Sequence, residues 1–373
     1  MKKHIYIGMD VHKEDNVIAV ADGHRSGEVR EYGKITNDLR SLKRLVERLK
    51  KAHPDAVQHY AYEAGPCGFV IYRQMVKWKL DCIVVPPSNI PKRPGERVKT
   101  DRRDAIKLAR LHRAGELSEV NVPDAEDESI RDLCRARTDA RKAVNAWKQR
   151  LKSFLLRNGY RYKGEATWSD KHLAYLRELV MPHPAHKFIL EEYLVAIDEG
   201  LERMSRMEER IQALTVDWRW MPVVKALMCM RGIAWLGATV LVSELGDLGR
   251  FDHPRKLMAY LGLVSSENTT GTRRRQGSIT KAGNTHARYF LVESAQHCGL
   301  PPKVSKILTA RQQGQPLNIR KKAWDAQLRL NKRYWALMTR GVKRNIALVA
   351  VAREMVGFIW DIYQMAEPLP KKA

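Results

Sequence analysis

Cysteine is sparse and awkwardly spaced for cross-linking: Cys67, Cys82, Cys134, Cys229 and Cys298 are five in number, far apart, with no C-x-x-C pair among them. That argues against a disulfide framework and structural zinc, and for a reducing compartment. Apolar runs are short, none reaching the roughly 18 residues of a membrane span. The opening MKKHIYIGMDVH moves directly into a strand-like pattern, so no secretory leader is expected. Internal repeats and low-complexity tracts are missing as well. Acid is the remaining scarcity: 42 Asp and Glu face 67 Lys and Arg, a formal charge of +25. Such a surplus repels itself unless a polyanion is nearby, which makes nucleic acid the leading partner, ahead of a membrane surface.

What is present is 373 residues at 44% hydrophobic, too apolar for disorder and long enough for two or three folded units. The first 125 residues read as a mixed α/β domain. His4 to Asp10, Asn16 to Ala21 and a weaker run from Gly27 to Ile35 form a three-strand meander with a hairpin signal at Asp22-Gly23. A helical stretch at Leu39 to Leu49, a strand at Ala56 to Tyr62, a helix at Phe69 to Trp78 and the strand Cys82 to Val85 follow, giving a mixed sheet with helices on its faces. Residues 126–220 read as an all-α arm: long charged amphipathic stretches at Ile130 to Leu156 and Ala185 to Leu214, separated by the loop Asn158 to Asp170, suit antiparallel, coiled-coil-like helices. Trp147, Trp218 and Trp220 there read as packing residues. Residues 221–300 form a third, helical unit in which Gly237-Ala238-Thr239 is expected to be the turn of a helix-turn-helix-like hairpin. Phe251 to Leu263 and Ile279 to Gln296 read as helical, and Val264 to Gly277 as a polar loop. The tail, 301–373, is helical and basic. Between 303 and 345 lie twelve Lys or Arg, Lys321 and Lys322 among them, against the single acid Asp325, interleaved with Trp324, Tyr334 and Trp335. That mixture suits phosphate contact and base stacking.

Four carboxylates stand out. Asp10 ends the first strand and Glu63 ends another, where an unpartnered buried carboxylate would be costly. Asp101 and Asp104 share one face at a helix start. Taken singly each has a structural explanation, as a helix-terminus or turn-capping acid. The order strand end, strand end, helix pair lifts the set, because oxygen ligands that converge suit magnesium, with manganese as the alternative, and phosphodiester cleavage. His12 and Lys13, beside the first acid, are placed to contact phosphate, but read first as turn residues.

On these residues the sequence resembles the insertion sequence 110 transposases, and within them the 1111-type branch. The resemblance covers nearly the whole chain. It is carried by Gly8-Met9-Asp10-Val11-His12-Lys13, Tyr62-Glu63-Ala64-Gly65, Lys99-Thr100-Asp101-Arg102-Arg103-Asp104-Ala105, Tyr260 to Glu267, Gly277 to Asn284, and Ala352 to Trp360. It implies a RuvC-like, ribonuclease-H-type N-terminal domain whose Asp-Glu-Asp-Asp set, here Asp10, Glu63, Asp101 and Asp104, binds Mg2+. It also implies a helical arm, and a transposase domain that supplies a nucleophilic serine. The same resemblance implies excision and site-specific insertion of DNA, an element-encoded structured RNA that guides donor and target choice, a homo-oligomer (dimer or tetramer), and a cytoplasmic, nucleoid-associated protein of a bacterium or archaeon.

The sequence departs from the family at one point. The serine usually stands directly before the glycine of the loop corresponding to Glu267-Asn268-Thr269-Thr270-Gly271, and here that residue is Thr270. Three readings stand: Thr270 is the nucleophile despite its stiffer side chain, a register shift brings Ser265, Ser266 or Ser278 to the site, or the copy is inactive. Arg273, Arg274 and Arg275, with Lys281 nearby, suit phosphate clamping in each case. His286 and Arg288 neighbour this loop without a catalytic role. The competing functions are a RuvC-like structure-specific endonuclease using metal-activated water, and a catalytically inactive nucleic-acid-binding relative.

Overall fold

The computed structural model describes residues 3–24, 26–91, 100–271, 273–366 and 368; Lys99 and the side chain of Arg273 lie outside the described residues. The chain divides into two compact units, Met1–Val122 and Pro123–Ala373.

The first unit is a five-stranded mixed sheet. Its elements are β1 (Lys3–Val11), β2 (Asp15–Asp22), β3 (Val29–Thr36), α1 (Leu39–Ala52), β4 (Ala56–Glu63), α2 (Val70–Lys77), β5 (Asp81–Val85) and α3 (Asp101–Arg113). The strand order is β3-β2-β1-β4-β5, with β1 to β3 antiparallel neighbours and β4 and β5 parallel to β1 and to each other. A hairpin meander extended by parallel crossover strands is the ribonuclease-H-like arrangement expected from the sequence. Strand alternation sorts side chains to two faces. Ile5, Ile7 and Met9 join Tyr60, Tyr62 and Val84 on one face, where Leu42, Leu45 and Leu49 of α1 and Ile71 and Met75 of α2 cover them. The opposite face is small, with Val17, Ala19 and Ala21 against Ala105 and Ala109 of α3. Gly8 lies on that second face, where a Cβ would run into the backbone of Ala105 and Ala109, so glycine lets α3 sit directly on β1. Thr100 caps α3 by accepting from the Arg103 amide.

The second unit is helical. The long helices α4 (Ala125–Arg157) and α6 (Pro184–Thr215) pack together, with α5 (Asp170–Glu178) between them in sequence. Leu151, Phe154, Leu190 and Ile197 form the core of their far end, and Trp147 lies beside Tyr193. At the other end the buried Asp127 carboxylate accepts from Trp218 Nε1 at 2.8 Å, from Trp220 Nε1 at 3.1 Å and from Arg219. Both indoles therefore serve packing.

Next come α7 (Met221–Leu227), α8 (Trp235–Leu245), α9 (Pro254–Tyr260), β6 (Ser265–Thr270), β7 (Arg273–Ile279), α10 (Thr285–Ala295), α11 (Lys306–Gln312), α12 (Leu317–Thr339) and α13 (Arg344–Met365), most of them around one large core. Four local expectations fail here. Gly237-Ala238-Thr239 lies inside α8, where Ala238 and Thr239 are fully buried; small residues there permit close helix packing, and the turn falls between Leu227 and Trp235. Val264 to Gly277 is largely an antiparallel hairpin, β6 with β7, whose strands are exposed except at the base. The flanking helices are accordingly shorter than their periodicity suggests: α9 stops at Tyr260 and α10 begins at Thr285. Tyr334, expected among the stacking aromatics, is buried, whereas Trp324 and Trp335 are exposed.

Candidate active site and nucleic-acid surfaces

Asp10 and Glu63 follow directly on the paired residues Met9 and Tyr62, so they stand side by side at the C-terminal ends of two parallel strands. Each is two residues beyond a partner on the α3 face, Gly8 and Ala61, and strand alternation returns both to that face. The close approach of α3 to Gly8 then sets its first turn, with Asp101 and Asp104, beside the end of β1.

The side chains meet as that geometry requires. One ligand atom from each of Asp10, His12 and Asp101 lies within 4.8 Å of the other two. His12 Nε2 is 3.1 Å from Asp10 Oδ2 and 3.6 Å from Asp101 Oδ1. Burial holds the Asp10 carboxyl above its ordinary range; His12 opposes that shift, while the charges of Asp101 and Asp104 add to it. Asp104 stands in the same first turn of α3 as Asp101. Glu63 is placed beside Asp10 by strand register. The donors fit a hard divalent cation: carboxylate oxygens of one sign gathered at a half-buried strand end, with an imidazole within ligand distance. His12, read from sequence as a turn residue, is the group that sequence reasoning missed. Its signal was its place two residues after a strand-end acid, and its backbone carbonyl accepts from Asn37 Nδ2 at 2.8 Å, which fixes the turn.

The hydroxyl candidates share the β6–β7 hairpin. Thr270 is exposed at the end of β6, before Gly271 at φ +57°. Ser266 Oγ donates to the Ser278 carbonyl at 3.1 Å, and Ser265 sits opposite Ile279 at the base. Arg274 pairs with Glu267 across the hairpin at 2.7 Å, while Arg275 is exposed. The base is rigid. Gly262 and Gly283, both at positive φ, lie where a Cβ would strike the backbone of Ala282 and Tyr260, and Arg288 Nη1 donates to the carbonyls of Leu261 and Ala282. Lys281, also at positive φ, is exposed beside it. Below, the Glu244 side chain is wholly buried, taking both Arg135 nitrogens at 2.7 and 2.8 Å and Asn284 Nδ2 at 2.6 Å. Asn284 also caps α10. Arg288 and Asn284 therefore hold the hairpin's foot. On α12, Lys321 is exposed and Lys322 is tied to Asp361 at 2.9 Å.

Comparison with known proteins locates both regions. Residues 7–158 match a family model for DEDD transposases of IS110 elements, and residues 224–304 match the transposase IS116/IS110/IS902 family. A putative transposase y4qE of Sinorhizobium fredii is 40% identical over 361 residues, 97% of this chain and 89% of that protein. The transposase for insertion sequence element IS1533 of Leptospira borgpetersenii is 31% identical over 341 residues, 90% of this chain and 96% of its own length. The transposase for insertion sequence element IS1111A of Coxiella burnetii is 22% identical over 200 residues, 53% of this chain and 54% of that one. Among the described residues no helix is long and apolar enough to cross a membrane. The two matched regions carry the strand-end acids and the hairpin respectively, and near-full-length relatives contain both: the chain belongs to the IS110 family of transposases, enzymes that cut and rejoin DNA.

Proposed function

We propose that Asp10, Glu63, Asp101 and Asp104 hold Mg2+, with Mn2+ as the alternative, and that the Thr270 hydroxyl is the nucleophile in excision and insertion of the element. Bound there, a divalent ion supplies charge stabilisation at a phosphodiester under attack. The chain's own residues do the rest. His12 orients the Asp10 carboxylate; Arg273, Arg274, Arg275 and Lys281 hold backbone phosphates near the hairpin; Lys321, with Lys322 beside it, adds a second basic contact on α12. Thr270 Oγ attacks phosphorus, forming a protein–DNA ester as the sugar oxygen leaves. Donor and target DNA are selected by a structured guide RNA, and the working particle is a homo-oligomer, dimer or tetramer. The observation that carries this reading is the meeting of Asp10 and Asp101 within ligand distance.

Two experiments test it. Asp104→Ala should abolish excision and leave RNA binding intact; excision at the wild-type level removes the metal assignment. Trapping the protein–DNA adduct and mapping it by peptide mass should place it on Thr270, with Thr270→Ser retaining it and Thr270→Val losing it. An adduct on Ser265, Ser266 or Ser278, or full activity in Thr270→Val, moves the nucleophile elsewhere. Cleavage with no adduct would point to water as the nucleophile.

A further inference from the structure

The first unit has a second charged feature, on the face of the sheet away from the acids. Helix α1 buries Leu42, Leu45 and Leu49 against Ile7 and Met9, so it lies on the sheet face opposite α3 and the strand-end carboxylates. Its outer surface carries Arg44, Arg48 and Lys51 at spacings of four and three, which align them along one side of the helix. They line a cleft of about 430 Å3 whose other wall is the Lys34–Thr36 segment of the edge strand β3. Glu47 is the one acid among the residues lining the cleft.

The groups are partly pre-positioned. Arg44 Nη2 donates to Ser41 Oγ at 3.0 Å, and Ser41 Oγ donates in turn to Asp38 Oδ2 at 2.8 Å, so the first guanidinium is anchored to the helix cap. Lys34 pairs in register with Val17 of the α3 face, and its Nζ lies 2.6 Å from Asp15 Oδ2, so its charge is engaged on the other side of the sheet. Arg48 and Lys51 are exposed and have no carboxylate partner among the described residues. Cations on adjacent helical turns, about 5–6 Å apart at Cβ, suit a chain of regularly spaced negative charges better than a single anion. A phosphodiester backbone is such a chain.

We propose that the α1–β3 cleft is a backbone-holding site for a nucleic-acid strand other than the one being cut. The opposite placement of α1 and α3 puts this cleft on the other face of the sheet from the strand-end acids. The RuvC-like unit then has a cutting face and a holding face. That the cut strand lies at the acids rests on the function proposed above; the holding of a backbone in this cleft does not, and the two fail separately.

The test is a salt titration of binding by the full chain, read by fluorescence anisotropy with a duplex DNA and, separately, a structured RNA. Each phosphate contact contributes about 0.9 to the log–log salt slope on duplex DNA and about 0.7 on single strands. Arg44→Gln with Arg48→Gln should flatten the slope by about 1.5 to 2 on the polymer that occupies the cleft, and weaken its binding roughly tenfold near physiological salt. Exposed side chains are being changed, so the melting temperature should hold. Arg203→Gln with Arg210→Gln on α6 removes the same charge elsewhere and should do less. Loss confined to RNA assigns the cleft to RNA, loss confined to DNA assigns it to DNA, and loss on both makes it a general backbone groove. An unchanged slope on both polymers, or an effect equal to that of the α6 pair, overturns the proposal.

Discussion

Asp10 and Glu244 are both withdrawn from water, and their surroundings are opposites. Glu244 sits in the helical unit with its side chain fully covered. Burial alone would push its carboxyl up, but the two-pronged Arg135 contact and the Asn284 amide outweigh that, and it stays below the ordinary range. Asp10, at its strand end, is pushed up by burial, and its neighbours Asp101 and Asp104 push further while only His12 opposes. A carboxylate that joins helices brings its counter-charge in the same chain. One gathered with others of its own sign leaves the counter-charge to something that binds, and that contrast separates architecture from chemistry without reference to any relative.

The comparison can be broken most forcefully at Asp10. Asp10→Asn removes one of the crowded charges, so excision should fall by about a thousandfold or more if several kcal/mol of stabilisation at the phosphodiester are lost, while the melting temperature holds or rises. An active variant, or one that unfolds, would put Asp10 in the same class as Glu244. Next in size is Glu244→Ala, which strands a half-buried guanidinium and should cost about 3 kcal/mol in urea unfolding, since Arg135 retains some solvent. Its pH behaviour has a definite sign. A folded-state pKa below the unfolded one gives stability that is complete above the unfolded value, about 4.5, and is lost as pH falls through the folded value. The gap between wild type and Glu244→Gln in melts from neutral pH to acid should therefore narrow on the acid side; a gap that widens would reverse the assignment. A loss of stability no larger than that at Glu244 is expected for Gly8→Ala, about 1–3 kcal/mol from driving a methyl into α3. Because α3 carries Asp101, excision should fall by more than this loss of stability accounts for, and a variant that loses stability alone would uncouple the helix from the site.

The sequence made the first unit legible because its signals are local. Strands with one buried face alternate, Asp22-Gly23 punctuates them, and acids at their ends stand out against apolar neighbours. The second unit was harder for equally physical reasons. Strands β6 and β7 are polar on both faces, so no period of two marks them and their composition reads as loop. Gly237, Ala238 and Thr239 look like a turn because small residues serve turns and close helix contacts alike, and only the packing of α8 distinguishes the two. The Arg135–Glu244 bond joins residues far apart in the chain, which no window of sequence displays. His12 was visible but ambiguous until the side chains of Asp10 and Asp101 were placed around it.

The outer part of the β6–β7 ribbon buries almost nothing, and its register depends on what is locked at its foot by Gly262, Gly283 and Arg288. Apart from Gly271, held at positive φ, and Gly277, where a Cβ would meet Ser266 Oγ, folding therefore exerts little selection on the described residues from Glu267 to Ser278. Any restriction on which amino acids those positions tolerate over generations must be imposed by the molecule the ribbon touches, so the tolerated alphabet at each position becomes a readout of that contact, largely free of the stability bias that confounds similar surveys in a core.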